Sequence, residues 1–169
     1  MTVSLYDVSV PAVINTMESV SALIDKAEAH CAAKKIDPAV LVNYRLAADM
    51  LPFSRQIQIM TDGVKGMGAR LTGTEIPSYP DTEATFDDLK ARIAKTIAFL
   101  KGLKPEQFND GVTRDIALKA GPNELKFKGL AYLTTFVLPN FHFHATTAYA
   151  ILRHAGVEIG KRDFLGKIQ

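Results

Sequence analysis

The chain has 169 residues, of which 47% are apolar and 22% charged, with a formal net charge of +2. That length and balance describe one domain, residues 1–169, able to bury a sizeable core. So small a basic excess excludes nucleic acid and anionic membrane surfaces as expected partners, and no stretch reaches the ~20 apolar residues of a membrane span.

The first helix opens at Ser4-Leu5-Tyr6-Asp7, which has the spacing of a capping box with Asp in place of Glu. Leu5, Val8, Ala12, Met17, Val20, Ile24, Ala27 and Cys31 then follow an approximate helical stripe, with Pro11 marking a kink or a later start. It ends before Ile36-Asp37-Pro38, where Asp37 caps a second helix and Pro38 takes its first position. The second helix is predicted from Pro38 to about Val64, after which Gly63, Gly66, Gly68 and Gly73 break it up. A polar connection from Thr72 to Asp81, with Pro77 and Pro80, leads to a third helix. That helix opens at Thr85-Phe86-Asp87-Asp88, again with capping-box spacing, and stops at Lys104-Pro105.

Between Val112 and Phe127 the apolar period falls to two. Ile116 and Leu118, a turn at Gly121-Pro122-Asn123, then Leu125 and Phe127 predict a small β-hairpin. The last helix runs from about Gly129 to Ala155, with Pro139 kinking its middle and Gly156 ending it. The tail from Val157 packs across the others. Four long helices, one hairpin and one long crossover make an all-α four-helix bundle, not restricted to up-down-up-down order.

Chemistry concentrates in the last helix, where three of the four histidines stand in the run Leu138-Pro139-Asn140-Phe141-His142-Phe143-His144 to His154. Burying imidazole among Phe and Ala is costly unless the ring nitrogens find partners. Leu130, Leu133, Val137, Asn140, His144, Ile151 and Ala155 share one stripe. His142 lies about 200° from His144 at ~100° per residue, on a flank with Tyr149 and Arg153. His144 is therefore the interior candidate, and His154 falls at a helix end. On the second helix Val42, Leu46, Asp49, Phe53, Gln56 and Met60 form a stripe that Asp49 and Gln56 interrupt. If these two helices pack together, Asp49, Gln56, Asn140 and His144 converge. One imidazole, one carboxylate and two amides make a thin shell for zinc or nickel. By themselves these residues favour a satisfied polar network, with a metal centre as the rival reading.

Other signals are bland. Cys31 excludes an intramolecular disulfide, and its alanine neighbours mark it as a core residue. Gly63-Val64-Lys65-Gly66-Met67-Gly68 lacks the preceding strand that a phosphate-binding loop needs. Nothing resembles a nucleophile elbow. No basic stretch precedes an apolar run at the start, so a secretory signal is not expected and a cytoplasmic protein is.

Asp49-Met50-Leu51-Pro52-Phe53-Ser54-Arg55-Gln56, together with Leu138-Pro139-Asn140-Phe141-His142-Phe143-His144 and Ala148-Tyr149-Ala150-Ile151-Leu152-Arg153, resembles an uncharacterised bacterial family within the DinB/YfiT-like superfamily. The likeness extends to the ending Gly160-Lys161-Arg162-Asp163-Phe164-Leu165-Gly166. The resemblance implies an up-down-down-up bundle, a homodimer, and kinship with metal-dependent enzymes, some of which transfer or hydrolyse thiols. In those relatives nickel or zinc is held by one His of helix two and a His-x-x-x-His pair of the last helix. Carried over, His144 matches the second member of that pair and Asn140 stands in place of the first. Helix two offers Asp49 or Gln56 where the relatives have His.

The expected site is thus a polar pocket between helices two and four, with His144 and Asp49 as the metal candidates. Gln56, Asn140, Arg55, His142 and Tyr149 are the ligand-binding candidates, and no catalytic residue is assigned. The function expected is a divalent-metal-dependent thiol transferase or hydrolase with a degenerate nickel or zinc site. The alternatives are a non-catalytic homodimeric bundle and a metal-free protein that binds a small ligand.

Overall fold

Ser4 and Asp7 exchange side-chain-to-backbone hydrogen bonds at 3.1 and 3.2 Å in the computed structural model, which describes residues 4–167. The capping geometry is real, yet it closes only a turn. Helix α1 (Val10–Lys34) starts later, with Pro11 in its first turn, where a missing N–H costs nothing. It ends where Lys35 adopts φ 56°. Asp37 then caps the short α2 (Pro38–Val42), its Oδ1 accepting from Ala39 N at 2.9 Å.

The single long second helix predicted from Pro38 is two helices. Pro52 lacks an N–H and disfavours helical geometry at Leu51, so residues 43–52 form a loop. Helix α3 (Phe53–Thr72) begins beyond it, and Phe53 N closes the loop by donating to Tyr44 O at 2.9 Å. At its far end α3 runs on through three glycines that the sequence reading took as breaks. Gly68 explains one of them, because a Cβ there would stand 2.7 and 2.8 Å from Leu103 and Leu100. Close packing outweighs the ~1 kcal/mol that glycine costs a helix. The actual stop is Gly73, at φ 75°.

Helix α4 (Phe86–Lys101) carries the expected capping box. Thr85 Oγ1 accepts from Asp88 N at 3.2 Å, and Asp88 Oδ2 from Thr85 N at 2.9 Å. The hairpin of β1 (Asp115–Ala120) and β2 (Asn123–Lys128) is antiparallel, pairing Ile116 with Phe127 and Leu118 with Leu125. Phe127 packs on Tyr132 and Phe136, with ring centroids 5.9 and 5.6 Å away.

Tyr132 and Phe136 lie in the widened part of the last helix. It comprises α5 (Gly129–Ala131), a π turn (Tyr132–Val137) and α6 (Leu138–His154). Pro139 has no N–H to give and its ring crowds the turn before it, so the ladder re-pairs with wider spacing. The Thr134 and Thr135 hydroxyls donate to the Leu130 and Ala131 carbonyls at 2.9 and 2.7 Å. The extra residue in that turn rotates the inward face. Leu130, ahead of the turn, is exposed in consequence, while within α6 the inward face is Phe141, His144, Ala145 and Ala148, which leaves Asn140 half-buried at its edge.

Helix α7 (Lys161–Leu165) lies on α1, held by Asn15 Nδ2 to Leu165 O at 3.0 Å and by Lys26 to Asp163 at 2.7 Å. The phenyl rings of Phe53 and Phe86, each first in its helix, meet edge to face at 6.2 Å. Helices α3 and α4 therefore run parallel, and residues 73–85 carry the chain back along the bundle. The order is up-down-down-up, with α3 between α4 and α6. Met17, Ile24, Phe53, Met60, Met67 and Phe141 fill the shared core. Among the described residues no helix is long and apolar enough to cross a membrane.

Candidate functional site

Helices α3 and α6 make the most extensive helix contact among the described residues, and within it His144 meets Gln56 of the first α3 turn. His144 Nδ1 and Gln56 Oε1 are 2.7 Å apart, with the two residues only 8% and 2% exposed. Gln56 Nε2 donates to the Leu51 carbonyl at 2.9 Å. That second bond fixes the first. The Leu51 oxygen can only accept, so the Gln56 amide must turn its NH2 there and present its oxygen to the ring. His144 Nδ1 therefore carries the proton, and the Nε2 lone pair points elsewhere. Nε2 makes no hydrogen bond to the described residues, nor is it among their sealed, unpartnered polar atoms. Burial lowers the His144 pKa, which keeps the imidazole neutral around pH 7.

The other sequence candidates scatter. Asp49 is exposed in the 43–52 loop, with no hydrogen bond or ion pair to a described residue, because Pro52 ends the helical frame that aligned it with Gln56. Asn140 is half-buried, one turn before His144. His142 is exposed and lines a shallow cleft of about 550 Å3 with Leu46, Met50, Pro139 and Phe143. Arg55 turns away from α6, pairing with Asp81 at 2.6 Å and Gln58 at 2.6 Å. Tyr149 packs edge-on against Phe164 of α7 at 5.8 Å.

A zinc or nickel ion needs several imidazole, thiolate or carboxylate ligands converging on one point. No group of three His, Cys, Asp or Glu among the described residues could hold one. The Nδ1–H···O bond does resemble the outer contact that orients a ligating imidazole. Yet the helix-two position that would supply a second ligand is Gln56, and both ends of its amide are already engaged. These residues do not fit a nickel or zinc site. What they can supply is a neutral, rigidly aimed nitrogen acceptor, suited to a ligand hydrogen bond or to general-base work.

The sequence reading missed a second polar centre on the opposite side of α3. Arg92 of α4 is buried, its Nε donating to Thr61 Oγ1 at 2.9 Å and its Nη1 to Glu83 Oε1 at 2.8 Å. Its Nη2 lies 2.9 Å from Asp62 and 3.1 Å from Asp81. Burial raises the Glu83 carboxyl pKa, but hydrogen bonds from Arg92 and Gln58 outweigh it and hold the pKa below the usual range. The available signal was position. Arg92 stands between Leu89 and Ile93 on the buried side of its helix, where a solvated cation does not belong. The network straps the 73–85 connection to α3 and α4.

Residues 5–165 match the family described as a domain of unknown function, DUF1993. The chain is also similar to the crystal structure of a DinB family member protein from Shewanella denitrificans. The two are 40% identical with a TM-score of 0.88, over 97% of this chain and 93% of that one. No functionally curated protein matches. With the family matched nearly end to end and the bundle order shared, the chain belongs to the DUF1993 family, a branch of the DinB/YfiT-like superfamily.

Proposed function

We propose that this DinB-like bundle binds a small molecule at the α3–α6 contact through His144, without nickel or zinc. The observation that carries the reading is the relay from the Leu51 carbonyl through Gln56 to His144, which fixes one tautomer and leaves Nε2 as an acceptor. A ligand with an N–H, O–H or S–H group would bind there, and one with an acidic proton could lose it to Nε2. Asn140, one turn away, would offer a second polar contact. The apolar cleft of Phe143 and Thr147 lies on the adjoining flank of α6 and is not lined by His144 itself. A ligand reaching from Nε2 round that flank would lay its carbon skeleton there.

A second reading, that the pair only sets the register of α3 against α6, is favoured by the burial of both side chains. The test is elemental analysis of untagged protein after incubation with nickel and zinc, with nitrogen NMR of His144 and a thermal-shift screen of small polar compounds. The expected result is no stoichiometric metal, a neutral Nδ1–H ring, and at least one stabilising compound whose effect disappears in His144→Ala. Near-stoichiometric metal lost in that variant would overturn the metal-free reading. A screen with no His144-dependent compound would leave the register role in its place.

A further inference from the structure

Toward the opposite end of α3, two arginines border a single cavity. Arg70 of the last α3 turns and Arg114, just ahead of β1, line one cavity of about 260 Å3 with Gly73, Asp115, Ile116 and Ala117. Gln56 and Arg70 stand about 21 Å apart along the helix at ~1.5 Å per residue, so this cavity is separate from the His144 site.

Neither guanidinium has a carboxylate within ion-pair distance among the described residues, whereas Arg55 and Arg92 both do. Arg114 Nε is sealed from solvent and has no hydrogen-bond partner. A donor sealed in this way is costly and lies beyond the reach of a ligand in the cavity, so an anion there would be held by the other guanidinium nitrogens. Asp115 lines the cavity, but its exposed carboxylate is engaged by Lys128 at 2.7 Å. Nor do the two arginines serve as caps for α3, since neither donates to a carbonyl at its end. Arg70 Nη1 donates instead to Tyr132 Oη at 3.1 Å, which holds the head in place.

The backbone leaves room for both heads. A Cβ on Gly73 would stand 2.6 Å from Arg114 Nη1, and one on Gly66 would overlap the Arg70 guanidinium. Two arginines that border one cavity and form no ion pair with a described residue suit the recognition of an oxyanion held between them. We propose that Arg70 and Arg114 form a binding site for the phosphate or carboxylate group of a small molecule, at the junction of α3 and the hairpin.

The test titrates the whole protein with inorganic phosphate and, separately, with succinate, at constant ionic strength balanced by chloride. Arginine Nε–H resonances and the melting temperature are followed together. The expected result is a saturable shift of the Arg114 Nε–H signal with a rise in melting temperature, weakened about tenfold or more in Arg70→Gln and in Arg114→Gln. Arg45→Gln, in the exposed 43–52 loop, should bind as the parent chain does. A response to phosphate alone assigns phosphate, a response to succinate alone assigns carboxylate, and either supports the site. No saturable shift with either anion in the unaltered chain overturns it, whether or not the variants fold. Equal binding by the Arg70→Gln variant overturns it too.

Discussion

Replacing Gln56 by Leu removes the amide while keeping a side chain of similar volume, so the cavity left behind is small. Two polar groups lose a partner. The Leu51 carbonyl belongs to an exposed residue and can regain water, so its loss is minor. His144 Nδ1–H is inside the α3–α6 contact of a residue only 8% exposed, and its loss costs about 1–3 kcal/mol. A net loss of about 2 kcal/mol corresponds to about 4–8 °C in melting temperature for a chain of this size. Urea unfolding at several pH values is the assay.

The pH dependence has a defined sign. Burial lowers the folded-state pKa of His144, so below about pH 6.5 the unfolded chain takes up a proton that the folded one refuses. The stability held by the neutral ring is complete above that pH and is lost as pH falls toward the folded pKa. Gln56→Glu would put a carboxylate against Nδ1–H, raise that pKa and shrink the acid loss. A Gln56→Leu variant within about 0.5 kcal/mol of the parent would refute the reasoning. So would a Gln56→Glu variant whose His144 titrates no higher.

Arg92→Ala leaves Glu83, its side chain only 11% exposed, without its cation, while Asp62 and Asp81 are open enough to rehydrate. The expected loss is about 3 kcal/mol by urea unfolding, and a loss below about 1 kcal/mol would show that the strap is ornamental. Gly129→Ala drives a methyl into the Gly111 carbonyl, a backbone atom that cannot swing aside. The expected loss is about 3 kcal/mol, whereas Gly63→Ala, with nothing within 4 Å, gains about 0.5–1 kcal/mol. Equal melting temperatures for these two variants would contradict the packing described around the hairpin base.

Much of the fold was legible because it is written in local chemistry. Thr85 with Asp88, Asp37 before Pro38, and the change of period around Ile116 and Phe127 each act over a few residues. His144 and Gln56 were found because phase alone put both on inward faces of helices that pack together. The failures share a cause, which is that a helical frame was carried too far. Pro52 ends the frame that linked Asp49 to Gln56, and the π turn ahead of Pro139 rotates the one that put Leu130 on the stripe of His144. Arg92 and Arg114 were overlooked because an arginine's default surrounding is water, and only the returning connection or the hairpin shows otherwise.

The parallel course of α3 and α4 has an electrostatic consequence. Antiparallel neighbours set opposite dipole ends together, but here two positive ends stand side by side at Phe53 and Phe86. Arg55, in the first turn of α3, adds to that positive charge. The 73–85 connection arrives at this end carrying Asp81 and Glu83, and Asp81 binds Arg55 directly. The segment that makes the pair parallel thus also delivers the negative charge that lets two like poles lie together.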